Sequence, residues 1–297
     1  MNTLQAALIK ALLWLCAQLP LSWARALGRF ATVLYWPFGG RSRQVTQRNI
    51  ALAFPELDPE AQNILARQSL AATGELVTEM GHVWLRSWAY VQSLITEVHG
   101  ADQIIEAQKS GRGVIVLAPH LGNWEIVGLH LPLLGSTVSL YEPPKIAGLG
   151  PLIERSRQRS GATLVPTDGR GLARLLKSVK QGHISGILPD QAPPDLNAGK
   201  NSPFMGIECF TGTLASNMIR RTGALAVFGF AERVPGGFIL RYLPAEEAIY
   251  DADDSLSLAA LNRGVEKCVR HCVAQYQWEY KRFRVRPKQG PGNYDGL

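Results

Sequence analysis

The spacing of hydrophobic positions changes partway along this chain of 297 residues. In the first third, apolar residues recur every three or four positions, as between Ile64 and Trp84, which is the period of a helix with one buried face. Asp58 and Pro59 are typical of the N-cap and the first turn of such a helix. From Gly113 onward, short apolar runs alternate with amphipathic segments. The pattern therefore predicts helices over residues 41–95, followed by alternating strands and helices.

The second part of the chain has the pattern of a layered α/β fold. Strands that alternate with helices form a sheet that is largely parallel and covered by those helices. The sequence Val-Pro-Gly-Gly at 234–237 predicts a hairpin turn, which makes part of the sheet antiparallel. We therefore expect an α/β fold with a mixed, mostly parallel sheet flanked by helices. The predicted strands are 113–118, 137–140, 163–166, 183–188, 224–231 and 237–243, and the predicted helices are 124–134, 171–180 and 256–276.

The N-terminal residues form an apolar segment that is interrupted twice. Residues 4–24 are rich in Leu, Ala and Trp, but Lys10 and Pro20 break the run. The longest uncharged stretch is shorter than the roughly 20 residues of a membrane-spanning helix. Five arginines follow before the first acidic residue, Glu56. This arrangement is typical of a helix that enters or lies on a bilayer, with the main domain on the cytoplasmic side.

The chain is thereby divided into residues 1–40, predicted to be an N-terminal membrane-anchoring helical segment, and residues 41–297, the main domain. The alternative is a buried N-terminal helix of an ordinary soluble protein. A mean hydropathy of -0.01 is far from that of a polytopic membrane protein.

The net charge of +7 suits an acidic partner, which is a nucleic acid, anionic lipid headgroups or an acidic carrier protein. The apolar N-terminus favours the membrane over RNA, for which no recognised motif is present.

Candidate chemistry is concentrated where the first buried strand ends. The sequence Ala-Pro-His-Leu-Gly-Asn-Trp-Glu places His120 five positions before Glu125. Positions five apart do not share a face of a helix, so His120 is expected in a turn and Glu125 in the first turn of the next helix. The carboxylate can then accept a hydrogen bond from one imidazole nitrogen, while the other nitrogen removes a proton from a hydroxyl.

This pair corresponds to the base half of a serine-hydrolase triad, with a hydroxyl of the substrate in place of the serine. The chain has no Gly-x-Ser-x-Gly elbow and no His-Glu-x-x-His zinc motif. We therefore predict neither a covalent acyl-serine intermediate nor a metal or other cofactor.

The same octapeptide resembles the signature of the bacterial lipid A late acyltransferases, a family of lauroyl and myristoyl transferases that carries His-x4-Asp/Glu. Three further blocks resemble that family in the same order along nearly the whole chain. They are Arg-Asn-Ile-Ala-Leu-Ala-Phe-Pro-Glu at 48–56, Leu-Pro-Asp-Gln at 188–191 and Gln-Tyr-Gln-Trp-Glu-Tyr-Lys-Arg-Phe-Arg-Val-Arg-Pro at 275–287.

The resemblance implies a glycerolipid-acyltransferase-like fold and an acyltransferase domain over 41–297, with His120 and Glu125 as the general-base dyad. It implies a donor that is a thioester of acyl carrier protein, an acceptor hydroxyl on a phosphorylated, glucosamine-based lipid A precursor, and no cofactor. It places the enzyme at the inner membrane, with its catalytic domain on the cytoplasmic face. Two alternatives stay open: transfer to another glycolipid or glycerolipid, and a non-catalytic membrane lipid-binding protein.

Four further residues are candidates for substrate binding. Arg157 has the family's spacing from the dyad, and with Arg155 it is expected to contact phosphate, which an arginine fork binds well. An exposed basic end of a helix is the alternative for both. Asp190 ends a predicted strand and is expected to position Arg157 or the acceptor, or else to form a turn. Asn123 belongs to the motif's turn and joins this set.

Overall fold

A computed structural model describes residues 2–287 and 290–297, and in it a group of helices precedes the sheet. These helices are α1 (Asn2–Gln18), α2 (Leu21–Tyr35), α3 (Arg41–Ala53), α4 (Pro59–Leu85) and α5 (Trp88–Ser93). The later helices are α6 (Asp102–Lys109), α7 (Trp124–Leu134), α8 (Gly150–Gln158), α9 (Gly169–Lys180), α10 (Leu214–Thr222) and α11 (Asp254–His271). The predicted start of α4 is confirmed, because the Asp58 side chain accepts a hydrogen bond from the N–H of Ala61.

Nine strands lie between and after these helices in the described part of the chain. They are β1 (Ile95–His99), β2 (Val114–Leu117), β3 (Val138–Tyr141), β4 (Thr163–Pro166), β5 (Ile184–Ile187), β6 (Gly199–Phe204), β7 (Ile207–Gly212), β8 (Leu225–Val234) and β9 (Gly237–Pro244). The main sheet has the order β1-β9-β8-β2-β5, and only the hairpin β8–β9 is antiparallel within it. The parallel pair β3–β4 continues beyond β5 through a bridge between Thr137 and Ile184. The prediction of a mixed, mostly parallel sheet flanked by helices is confirmed.

Strand β2 is covered on both faces, which explains its uninterrupted apolar sequence. Val114 and Val116 belong to a buried cluster with residues of α6 and α7. Ile115 and Leu117 belong to a second cluster with residues of α9, α10 and α11. Strands β2, β5 and β8 are mutually parallel, so their carboxyl ends lie at one edge of the sheet. In open α/β sheets this edge is where ligands bind.

Helices α1 and α2 are separate helices that pack against α4. The contact between α2 and α4 is close, since a Cβ atom added to Gly28 would lie 2.2 Å from the carbonyl oxygen of Gly74. Both helices also expose large apolar side chains to solvent, among them Leu4, Leu8, Leu12, Trp14, Trp23, Leu27, Phe30 and Leu34. None of the helices in the described residues is long and apolar enough to cross a membrane.

Candidate active site

The residues before α7 form a tight turn that carries His120. Gly122 adopts a φ of 58°, and a Cβ atom there would lie 1.9 Å from the carbonyl oxygen of Ala231. Its N–H donates to the oxygen of Gln275 at 3.1 Å, and the N–H of Asn123 donates to the oxygen of Ala231 at 3.0 Å. The turn is therefore held against β8 and the C-terminal segment, and only glycine permits so close an approach.

His120 is paired with Asp190, which follows β5. The ring nitrogen Nδ1 lies 2.8 Å from Oδ1 of Asp190, and the backbone N–H of His120 donates to Oδ2 at 2.9 Å. Burial opposes ionisation of Asp190, but the charge of His120 and these hydrogen bonds outweigh it and lower the pKa of the carboxyl. An ionised carboxylate only accepts hydrogen bonds, so Nδ1 carries a proton, and in the neutral imidazole Nε2 has the lone pair.

Glu125 has a different partner from the one that the sequence predicted. Nε and Nη2 of Arg157 donate to the two carboxylate oxygens of Glu125, with the Nε bond at 3.0 Å. The carboxylate is largely buried, whereas the Arg157 side chain is 35 % exposed. Burial lowers the pKa of the guanidinium, but the charge of Glu125 and its hydrogen bonds outweigh this effect and raise it.

The structure thus corrects the predicted hydrogen bond that Glu125 accepts from His120. Asp190 contacts His120 and not Arg157, which was one of the partners expected for it. The reason is strand order: β5 is the parallel neighbour of β2, so the residues that follow these two strands meet at one edge. Glu125 lies in the first turn of α7, where Arg157 of α8 reaches it. The His120–Asp190 pair and the Glu125–Arg157 pair are neighbours. The ring centroid of His120 lies 4.8 Å from that of Trp124, which directly precedes Glu125 in the sequence.

The other two predicted binding residues do not join these pairs. Asn123 is fully buried, and its Nδ2 donates to Oε2 of Glu79 at 3.0 Å. Its Oδ1 has no hydrogen-bond partner among the described residues. Arg155 is exposed on α8, and its Nε donates to the oxygen of Pro151 in the same helix. The expected contacts of Asn123 and Arg155 with substrate stay predictions.

A buried charged network lies behind the His120 turn. Glu79 of α4 is fully buried and accepts hydrogen bonds from Arg25 of α2 at 2.6 Å, from Arg233 of β8 at 2.6 and 2.9 Å, and from Asn123. Arg25 was expected at the membrane surface, and its 5 % exposure corrects that expectation. Local sequence contains no signal for this network, because its members come from α2, α4, β8 and the turn before α7.

An apolar pocket lies beside the Glu125–Arg157 pair. Trp124, Glu125 and Arg157 line its polar end, together with Ala118, which precedes the His120 turn. The apolar part of its wall consists of Val127, Gly128, Leu131, Leu140, Leu164 and Leu188. A base with a fixed tautomer, a partly exposed cation and an apolar pocket provide what transfer of a fatty acyl group to a hydroxyl requires.

Comparison with known proteins agrees with this chemistry. The family model described as bacterial lipid A biosynthesis acyltransferase matches residues 2–285. The chain is 27% identical to the lipid A biosynthesis lauroyltransferase of Escherichia coli, over 95% of this chain and 92% of that protein. It is 26% identical to the palmitoleoyltransferase of the same organism, over 93% and 89% of the two chains. A lipid A biosynthesis acyltransferase of Haemophilus influenzae is 26% identical, over 86% and 82%.

Proposed function

The chain belongs to the bacterial lipid A biosynthesis acyltransferase family, and from that premise we propose that it moves a fatty acyl group from acyl carrier protein to a hydroxyl of a lipid A precursor. The donor is a thioester, and the acceptor is a phosphorylated, glucosamine-based lipid. The observation that carries the proposal is the fixed tautomer of His120 next to an apolar pocket. Both features lie at the edge of the sheet where β2 and β5 end.

In this proposal His120 is the general base. Its Nε2 removes the proton of the acceptor hydroxyl as the oxygen attacks the thioester carbonyl, and Asp190 stabilises the imidazolium that forms. Collapse of the tetrahedral intermediate breaks the carbon–sulfur bond, and the imidazolium returns its proton to the leaving thiolate. No covalent acyl-enzyme is needed, because the donor thioester is already activated.

Glu125 and Arg157 have a complementary role. The carboxylate fixes the guanidinium at one side of the pocket entrance and occupies only two of its N–H groups. The remaining N–H groups are available for the oxyanion of the intermediate or for a phosphate of a substrate. Glu125 therefore stays in the proposed catalytic site as the residue that positions Arg157.

The apolar pocket between α7 and β3–β5 is proposed to hold the acyl chain. Its polar end contains Glu125 and Arg157, where the thioester carbonyl would lie, and its wall is otherwise mainly aliphatic. A chain bound there is removed from water along its length, which contributes about 0.8 kcal/mol for each buried methylene.

The exposed apolar side chains of α1 and α2 support association with a membrane surface. Leu4, Leu8, Leu12 and Leu15 follow a helical period on α1, and Trp23, Leu27, Phe30 and Leu34 do so on α2. Such faces suit helices that lie in the interfacial layer of a bilayer. We propose that they hold the enzyme on the cytoplasmic face of the inner membrane, where a lipid acceptor is within reach.

Mass spectrometry of membrane lipids tests this function directly. Cells that lack the gene should contain a lipid A species that is lighter by one acyl chain, and the wild-type gene should restore its mass. The His120→Ala gene should be expressed and membrane-bound but should not restore it. A missing acyl chain on another glycolipid or a glycerolipid would instead identify a different acceptor, and unchanged lipids would contradict the proposal.

A further inference from the structure

Helix α9 exposes a row of basic side chains. Arg170, Arg174 and Lys177 recur at intervals of four and three residues, so they lie on one face of the helix, and all three are exposed. The opposite face is buried in the cluster beneath the sheet through Leu175 and Val179. We call the exposed row the α9 basic face.

The charges of the α9 basic face are uncompensated. The helix contains no acidic residue, and the three cations of this face have no hydrogen bond or ion pair with any described residue. Many exposed cations elsewhere in the described chain are paired with carboxylates. These pairs include Arg29–Glu75, Lys109–Glu106, Lys200–Asp254 and Arg263–Glu246.

Helix stability does not account for this row. Cations near the C-terminal end of a helix interact favourably with its dipole, and this interaction explains the presence of a cation at Lys177. Arg170 lies in the first turn, at the positive end, where a cation is disfavoured. Arg174 lies in the middle and gains little from the dipole. The two arginines therefore need an explanation outside the helix.

The α9 basic face is close to the proposed active site. Asp168 caps α9 directly after β4, at the same edge of the sheet as the turn that carries Asp190. A groove connects the two places, since Thr167 and Leu172 at the start of α9 line it together with Leu188 and Gln191 beside Asp190. A flexible arm that is attached to a protein seated on α9 can follow this groove to His120.

We propose that the α9 basic face docks the acidic surface of the carrier protein that delivers the acyl donor. The inference rests on the proposed function, in which the donor is a thioester on a carrier protein. The position of α9 favours a protein partner over the bilayer: α9 packs with α10 and β3–β5, whereas α1 packs on α4 and the segment before α8. The donor and the lipid acceptor then approach from different sides.

Charge reversal combined with two donors tests the docking face. The variant Arg170→Glu/Arg174→Glu should raise KM for the acyl carrier protein at least about tenfold, because it removes two attractive charges and adds two repulsive ones. The same variant should use acyl-pantetheine, which lacks the carrier protein, with the wild-type kcat and KM. A higher salt concentration should raise the KM of the wild type for the carrier protein. It should therefore reduce the difference in KM between the wild type and the variant.

The control is Lys109→Glu on α6, a charge reversal at one exposed position on the other face of the sheet, and the KM of this variant for both donors should equal that of the wild type. An unchanged KM for the carrier protein in the α9 variant would refute the docking face but not the proposed donor. Equal losses with both donors would show that α9 acts through the shape of the site. Loss of binding to anionic vesicles, with an unchanged KM, would assign the face to the bilayer. A wild-type enzyme that uses acyl-pantetheine but not the carrier protein would refute the proposed donor as well.

Discussion

At the scale of single residues, Asp190 fixes both the main chain and the ring of His120. One of its oxygens accepts from the backbone N–H, and the other lies against Nδ1. The ring can therefore neither rotate away from the pocket nor change its tautomer without losing a buried hydrogen bond to a charge. Such bonds contribute about 1.5–3 kcal/mol each.

The variant Asp190→Asn should lower kcat by about 10²–10⁴-fold. An amide that donates to Nδ1 moves the proton of the imidazole to Nε2, which removes the base. The matched control is Asp195→Asn, since Asp195 is exposed and caps only a short turn through the N–H of Asn197. A kcat near that of the wild type in a folded Asp190→Asn variant would exclude Asp190 from the mechanism.

Gly128 offers a second prediction at this scale, because it lines the pocket proposed to hold the acyl chain and a Cβ atom added there would meet nothing within 4 Å. The series Gly128→Ala, Val and Leu should favour progressively shorter acyl donors, since each added carbon fills space that the chain would use. Stability should not fall for Ala, which is a better helix former by about 1 kcal/mol. Competition among donors of graded length measures the preference, and an unchanged optimum for Gly128→Leu would place the acyl chain elsewhere.

Local spacing predicted the correct turn and the correct edge of the sheet, but not the partners within the site. His120 and Glu125 are five positions apart, and that proximity suggested the wrong hydrogen bond. The contact of His120 with Asp190 depends on β5 being the neighbour of β2, and no short segment of sequence specifies strand order. The motifs around 120 and 190 nevertheless identified three of the four residues of the two pairs, and the fourth, Arg157, was predicted from its spacing in the family pattern.

At the scale of elements, Glu79 joins α4, α2 and β8 through charges that are out of contact with water. The variant Glu79→Gln should lower the free energy of unfolding by about 3–5 kcal/mol, because it removes the carboxylate to which two buried guanidinium groups donate and leaves Arg233 only the longer contact with Glu75. Urea unfolding measures the loss. Glu106→Gln is the control, since Glu106 is 71 % exposed and pairs with Lys109 on the surface of α6. Equal losses in both variants would contradict a special role for Glu79.

The same network predicts a dependence on pH. Burial opposes ionisation of Glu79, but Arg233 and Arg25 outweigh it, so the pKa in the folded state lies below the ordinary glutamate value. The stability that Glu79 contributes is fully present above that ordinary value and is lost as the pH falls through the folded pKa. The wild type should therefore lose more stability on acidification than Glu79→Gln does, and parallel curves would contradict the assignment.

The N-terminal helices give a prediction about the membrane. Trp23 and Phe30 are 68% and 58% exposed, so Trp23→Gln/Phe30→Gln should leave the fold intact but reduce sedimentation with lipid vesicles. The control is Ile64→Gln/Leu256→Gln, which removes two apolar side chains of similar exposure from α4 and α11. Undiminished binding of the first variant would place the membrane contact elsewhere.

Strongly patterned elements were predicted well, whereas the weakly patterned strands β1, β6 and β7 and the short helix α6 were not. The buried runs at β2, β5 and β8 were identified because both faces of these strands are covered. Strand β1 lies at the edge of the sheet and is mostly exposed, so its sequence lacks a continuous apolar run. The hairpin β6–β7 contains Pro203 and glycines at its ends, which are residues that argue against a strand when only local sequence is considered.

At the scale of the whole molecule, the proposed reaction joins substrates that arrive from two directions. The lipid acceptor would come from the membrane beside α1 and α2, and the donor from the carrier protein on α9. In this account the two substrates must be bound at His120 at the same time. A covalent acyl-cysteine intermediate would require a reactive thiol, and the described thiols are poor nucleophiles. Cys209 and Cys268 are fully buried, and burial raises the pKa of both, while it raises that of Cys272 to about 12.

The most direct test of this account is one mass-spectrometric experiment with purified protein and a labelled acyl carrier protein. Donor alone should leave the mass of the protein unchanged, and adding the lipid A precursor should produce a lipid heavier by one labelled acyl chain. The His120→Ala variant should form this product at least about a hundredfold more slowly. A stoichiometric acyl adduct on the protein that disappears when the acceptor is added, or a His120→Ala variant with the wild-type rate, would contradict direct transfer with His120 as the base.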